Sequence, residues 1–175
     1  MDIDALRALV RDIPDFPEEG IVFKDITPVL ASREALAQVV DGLAEPFRET
    51  GVDIVAGIEA RGFILATPVA DVLGSGFVPV RKPGKLPYQT QREEYELEYG
   101  TDALEVHIDA ARPGEKVLIV DDVLATGGTA SAAARLLSSL GAEVVGVSVF
   151  IELGFLGGRA QLDGLPFYSM VTYDD

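Results

Sequence analysis

One stretch constrains this chain more than any other: Val117-Leu118-Ile119-Val120-Asp121-Asp122-Val123-Leu124-Ala125-Thr126-Gly127-Gly128-Thr129-Ala130. A buried apolar strand ends in two carboxylates, and a turn of small residues then opens a helix. Ligands of open α/β sheets sit at this carboxyl edge. Gly127 and Gly128 let the backbone approach an anion closely. Free N–H groups at the helix start, with the positive end of its dipole, then hold a phosphate. Thr126 and Thr129 add hydroxyl donors. No Lys follows the glycines, so this is not a Walker loop. The acids carry meaning too, because carboxylates are poor neighbours for phosphate but good acceptors for vicinal sugar hydroxyls. Two acids beside a phosphate cup describe a ribose 5-phosphate site.

The rest of the chain alternates helix and strand. Leu6, Leu9, Val10 and Ile13 fit one face of a short N-terminal helix, broken at Ile13–Pro17. Leu36, Val39, Val40, Leu43 and Phe47 recur at helical spacing after Ser32, an N-cap, with a kink or early end expected at Pro46. Ile54–Ile58 reads as a buried strand, followed by a helix from Gly62 to Leu73 stopped by Gly74. Strands are expected at Phe77–Val80 (with Pro79 an obstacle), Lys116–Val120, Glu143–Ile151 and Phe167–Tyr173, and a helix at Thr129–Leu140. Such alternation gives an α/β fold with a parallel sheet. Residues 81–108 break the pattern. Their polar run ends in period-2 alternation on both sides of Gly100, a β-hairpin; a long polar excursion in a compact domain is usually a lid or binding loop.

The length of 175 residues predicts one domain, and 48% apolar content suits a folded core. A net charge of −15 argues against nucleic acid and against docking on anionic lipid. Without cysteine the chain has no disulfide, thiol nucleophile or cysteine metal site, and its one histidine, His107, builds no His-rich metal centre; it reads as a surface or satisfied side chain. No apolar run is long enough to span a membrane, and the acidic start carries no signal core, so a cytoplasmic protein is expected. The acidity is uneven. Between residues 61 and 92, Arg61, Arg81, Lys82, Lys85 and Arg92 face the single acid Asp71, a net of +4. A cationic island in an acidic chain suggests a local anion site.

The apolar run, paired acids and Thr-Gly-Gly-Thr turn resemble the phosphoribosyl pyrophosphate (PRPP) motif of type I phosphoribosyltransferases. Phe16-Pro17, Gly20–Thr27, Glu59-Ala60-Arg61-Gly62-Phe63, Arg81–Pro87 and Leu97-Glu98-Tyr99-Gly100 are similar to the adenine-specific branch of that family. The resemblance runs from about residue 12 to residue 172. It implies a single domain over residues 1–175, with a central, mostly parallel sheet flanked by helices and a flexible hood at about 88–102. It also implies the reaction of adenine with PRPP to give AMP and pyrophosphate, and hence purine salvage.

The resemblance assigns roles residue by residue. Ala125, Thr126, Gly127, Gly128 and Thr129 form the 5-phosphate cup, and Asp121 and Asp122 take the ribose hydroxyls. Arg61 sits in the pyrophosphate loop, where similar enzymes hold a cis peptide, here Glu59–Ala60. Arg81, Lys82 and Lys85 face the pyrophosphate from a segment at a homodimer interface. Phe23 and Leu153 sandwich adenine, while the backbones of Val22 and Lys24 read its edge. Glu98, on the hood, is the candidate acid/base, and hood closure excludes water. Magnesium enters with PRPP, on substrate oxygens, without a dedicated protein cage.

Two alternatives compete. Transferases for 6-oxopurines carry a Lys and an acid late in the chain; the region after Ile151 offers Arg159 and Asp163 but not that pattern. A PRPP-sensing regulator that binds DNA needs an added module and a basic surface, and the charge opposes it.

Overall fold

The computed structural model describes residues 2–96 and 100–174. Its centre is a five-stranded parallel sheet built from β3 (Ile54–Ile58), β4 (Gly76–Val80), β7 (Lys116–Leu124), β8 (Glu143–Leu153) and β9 (Phe167–Tyr173), in the order β4-β3-β7-β8-β9. This is the α/β class expected. Strands covered on both faces are apolar at successive positions, and β7 divides them cleanly: Leu118 and Val120 face one core, Val117 and Ile119 the other. The first core is closed by α3 (Arg33–Ala44) and α4 (Gly62–Leu73). The second is closed by α5 (Gly128–Ser139) and by an antiparallel hairpin of β5 (Thr90–Glu96) and β6 (Thr101–His107).

Local chemistry sets most boundaries. The Ser32 hydroxyl accepts from the Ala35 amide to start α3, which stops at Ala44 before a 3₁₀ turn containing Pro46. Gly74 ends α4 in the left-handed conformation (φ +67°) that glycine adopts without penalty. Pro79 is tolerated because β4 is an edge strand of the sheet, where a missing N–H costs no inner ladder bond.

Several boundaries differ from expectation. The first helix, α1 (Ile3–Leu9), stops short of Ile13, which pairs instead with Phe23 in a small hairpin of β1 (Arg11–Pro14) and β2 (Val22–Asp25). Strand β7 does not end before the acids; it continues to Leu124 because β8 runs beside it, Val123 opposite Ile151 and Leu124 opposite Glu152. On the other side β3 stops, its last partner being Val120. The paired acids thus lie where one neighbour strand has ended. A short helix, α2 (Thr27–Ala31), joins β2 to α3.

The 81–108 excursion is anchored rather than loose at its base. Arg81 and Glu105 exchange backbone hydrogen bonds (2.9 and 2.8 Å), and the buried Glu105 carboxylate accepts from the Gly84 amide. Tyr95, Leu104 and Val106 are buried in the second core. His107 is satisfied, accepting from the Tyr88 amide with its ring against Tyr88. No helix among the described residues is long and apolar enough to cross a membrane.

Candidate active site

The carboxyl ends of β3, β7 and β8 open into a cleft of about 500 Å³. Asp121 and Asp122 line it from β7, followed by Ala125, Thr126, Gly127 and Thr129. The turn is held by a close approach of two backbones. Gly127 has φ +85°, and a Cβ there would fall on the Gly158 carbonyl oxygen and lie 3.0 Å from Gln161 Cβ. Reciprocally, a Cβ on Gly158 would strike the Ala125 carbonyl. Helix α5 starts at Gly128 with no side-chain cap, so its first-turn N–H groups retain their capacity for an anion. Gly128 itself sits behind the cleft wall, against the Tyr95 ring.

The acids are packed hard against α4. Asp121 Oδ1 accepts the Asp122 amide at 2.9 Å, and a Cβ on Gly62 would come within 2.7 Å of that oxygen. Burial pushes the Asp121 carboxyl well above the ordinary aspartate range, and the Asp122 charge adds to the rise. Burial also raises Asp122, which is 5% exposed, against the pull of Arg61. Arg61 Nε lies 2.6 Å from Asp122 Oδ2, and its guanidinium stands 4.6 Å over the Phe23 ring. The peptide Glu59–Ala60 just before it is cis.

The apolar end of the cleft is formed by Val22 and Phe23 of β2 and by Leu153 at the end of β8. Phe16 packs edge-on to Phe23 at 5.2 Å. Lys24 also lines the cleft, but its ammonium is engaged elsewhere, 2.7 Å from Asp12 and 4.0 Å over the Tyr173 ring. Its main chain, not its charge, is therefore what the site can use.

Of the three further cations, Lys82 reaches the cleft wall, whereas Arg81 and Lys85 lie outside it. Arg81 Nη2 meets Glu59 Oε1 at 2.9 Å, and its Nη1 donates to the Lys85 carbonyl at 3.1 Å. Arg81 and the Lys82 amide together hold the Glu59 carboxyl below its usual range. Glu98 lies outside the described residues.

The phosphoribosyl transferase domain family matches residues 29–161 of the chain. An adenine phosphoribosyltransferase of Anaeromyxobacter dehalogenans is 56% identical over 98% of this chain and 99% of its own length. The chain belongs to the adenine phosphoribosyltransferases. The crystal structure of the adenine phosphoribosyltransferase from Rhodothermus marinus superposes with a TM-score of 0.95 at 53% identity, covering 98% of both chains. The Saccharomyces cerevisiae enzyme, complexed with an imino-altritol bisphosphate and adenine, superposes with a TM-score of 0.90 at 39% identity, covering 96% of this chain and 97% of that one.

Several residues that hold others in place carry little signal in the sequence. Gly158 buttresses the turn at Gly127; the Gly157-Gly158 pair was a visible signal of close backbone approach. Glu152, 4% exposed, takes a bidentate grip from Arg159 (2.6 and 2.7 Å) that ties down the segment bearing Gly158. Asp102 and Tyr95 contact Lys82 and Thr129 from the hairpin. Nothing in the sequence distinguishes Asp102 from the other acids of that excursion.

Proposed function

We propose that this chain makes AMP and pyrophosphate from adenine and PRPP in purine salvage, as one domain spanning residues 1–175. The observation that carries this is the union, in one cleft, of an uncapped helix start, paired acids and an apolar slot. Those three parts suit a phosphate, a ribose and a purine in that order.

In this reading the amides and hydroxyls of Ala125–Thr129 bind the 5-phosphate, and Asp121 and Asp122 accept from the ribose hydroxyls. Adenine lies between Phe23 and Leu153, its edge met by the backbones of Val22 and Lys24. Arg61 and Lys82 take the pyrophosphate, and Arg81 and Lys85, which lie outside this cleft, serve the pyrophosphate of a neighbouring subunit's site. The base N9 forms a bond to ribose C1 as the bond from C1 to the pyrophosphate oxygen breaks. The N9 proton goes to a base, for which Glu98 is the candidate. Arg61 now covers Phe23 and binds Asp122, so substrate entry requires its guanidinium to turn toward the pyrophosphate. Catalysis then comes from positioning and from charge placed against the departing group.

Asp121 and Asp122 are hard oxygen donors, and among the described residues no third acid or histidine joins them in a metal-binding group. That donor set fits a magnesium ion that keeps water and substrate oxygens as its other ligands. When bound, the ion neutralises pyrophosphate charge. The chain is further proposed to be cytoplasmic and to act as a homodimer. Light scattering tests the dimer.

The decisive experiment offers adenine, hypoxanthine, guanine and xanthine with PRPP and follows nucleotide and pyrophosphate. Adenine is expected to be used and the 6-oxopurines not. Turnover of hypoxanthine or guanine without adenine overturns the substrate; tight PRPP binding with no turnover of any base points to a sensor.

A further inference from the structure

Lys82 is not held by its own segment. Its ammonium binds the Asp102 carboxylate on β6 and lies 3.3 Å from the Tyr95 hydroxyl on β5. Tyr95 also lies 3.1 Å from Asp102 Oδ2 and 3.2 Å from the Thr129 hydroxyl. Proton counting gives these contacts a direction. A carboxylate only accepts, so the single Tyr95 proton goes to Asp102, and Thr129 donates to the Tyr95 oxygen. The second Asp102 oxygen accepts the Ala103 amide at 2.8 Å, which fixes the carboxylate on its strand. Two of the three ammonium donors are thereby used, and one is left for a ligand in the cleft.

We propose that Asp102, with the Tyr95 hydroxyl, is a positioning residue that presents the Lys82 ammonium to the pyrophosphate side of the cleft and ties it to Thr129 of the phosphate cup. The inference rests on the reading of Lys82 as a pyrophosphate ligand. A free lysine has four rotatable bonds to fix on binding; here the hairpin fixes them beforehand. Burial alone would make the ammonium easier to deprotonate, but Asp102 and Tyr95 outweigh it and keep the group charged.

Simple electrostatics expects the opposite effect on PRPP, since removing a carboxylate beside a polyanion should tighten binding. The two accounts therefore differ in sign. Steady-state kinetics of Asp102→Asn, Tyr95→Phe, Lys82→Met and the Asp102→Asn/Lys82→Met double variant separate them. Asp102→Asn is expected to raise KM for PRPP about tenfold, with kcat and KM for adenine within about twofold. Tyr95→Phe should raise it less, and the double variant should be no worse than Lys82→Met alone, because a positioning residue has nothing left to position. A thermal melt unchanged by Asp102→Asn, alongside the KM effect, distinguishes positioning from loss of fold. An unchanged or lowered KM for PRPP in Asp102→Asn, with Lys82→Met impaired, overturns the positioning role alone. So do penalties that multiply in the double variant. Should Lys82→Met leave KM for PRPP untouched, the pyrophosphate reading of Lys82 fails and this role with it.

Discussion

Three glycine-to-alanine variants separate two physical costs at the phosphate turn. Gly51 has φ +71° and open space where a Cβ would go, so Gly51→Ala incurs left-handed strain alone, about 1–2 kcal/mol. Gly158 carries no positive φ, but its Cβ would collide with the Ala125 carbonyl and crowd the Gly127 nitrogen at 3.0 Å. Overpacking of that kind costs about 1–3 kcal/mol. Gly127 combines both, because φ is +85° and the obstructing atom, the Gly158 carbonyl oxygen, belongs to a backbone that Arg159 and Glu152 tie down. Its alanine variant should lose about 2–5 kcal/mol, the sum of the two. At roughly 2–4 °C per kcal/mol for a chain this size, Gly127→Ala should melt about 4–20 °C lower and Gly51→Ala about 2–8 °C lower. Calorimetry gives the order, and PRPP kinetics add a second readout: Gly127→Ala and Gly158→Ala should raise KM for PRPP, while Gly51→Ala should not. If Gly127→Ala melts no lower than Gly51→Ala, the close approach does not constrain the turn and the reasoning fails.

Asp121→Asn should abolish PRPP use yet stabilise the empty protein at pH 7 by about 1–2 kcal/mol, the size common when a strained functional group is removed. The sign follows from its raised carboxyl: the parent loses stability as pH rises from the ordinary value near 3.8 through the raised one. Melting curves should therefore show the variant's advantage shrinking toward pH 4. Arg159→Met removes the partner of a buried Glu152 and should cost about 2 kcal/mol at pH 7, Ser169 and Thr172 still donating. Arg159 first, against burial, holds Glu152 below its usual 4.5, so that stability exists at neutral pH and is lost in acid. The deficit should narrow as pH falls, and an equal deficit at pH 7 and 4 would count against the ion pair.

What the sequence makes legible here is whatever depends on neighbours along the chain. The Ser32 cap, the Gly74 stop, the Gly62–Leu73 helix and the strand–acid–glycine–helix order are all set within a few residues. What it hides depends on partners far away. Strand β7 outlasts its expected end because β8 lies beside it, and Ile13 becomes a strand residue because Phe23 pairs with it. The Gly157-Gly158 pair marks a close approach, but its partner, Ala125 some thirty positions earlier, is set only by the fold. The cations are the sharpest case, since Arg61, Arg81 and Lys82 each have a carboxylate partner twenty or more residues distant.

Those partners change the meaning of the +4 island. Arg61 meets Asp122, Arg81 meets Glu59, Lys82 meets Asp102, and Arg92 meets Glu94. A cluster that reads as an open positive field is mostly neutralised before any ligand arrives. The site then works by exchange at Arg61, where a phosphate, with more acceptor oxygens than a carboxylate, takes a donor already aimed, while Lys82 keeps Asp102 and offers its remaining N–H. Long-range attraction contributes little under these conditions, the more so inside a chain of net charge −15. The second-order rate constant kcat/KM for PRPP should accordingly change by less than about twofold between roughly 50 and 200 mM salt at fixed free magnesium. A steep fall with salt, of the kind that electrostatic steering produces, would mean that the island acts as a field and that its ion pairs are incidental.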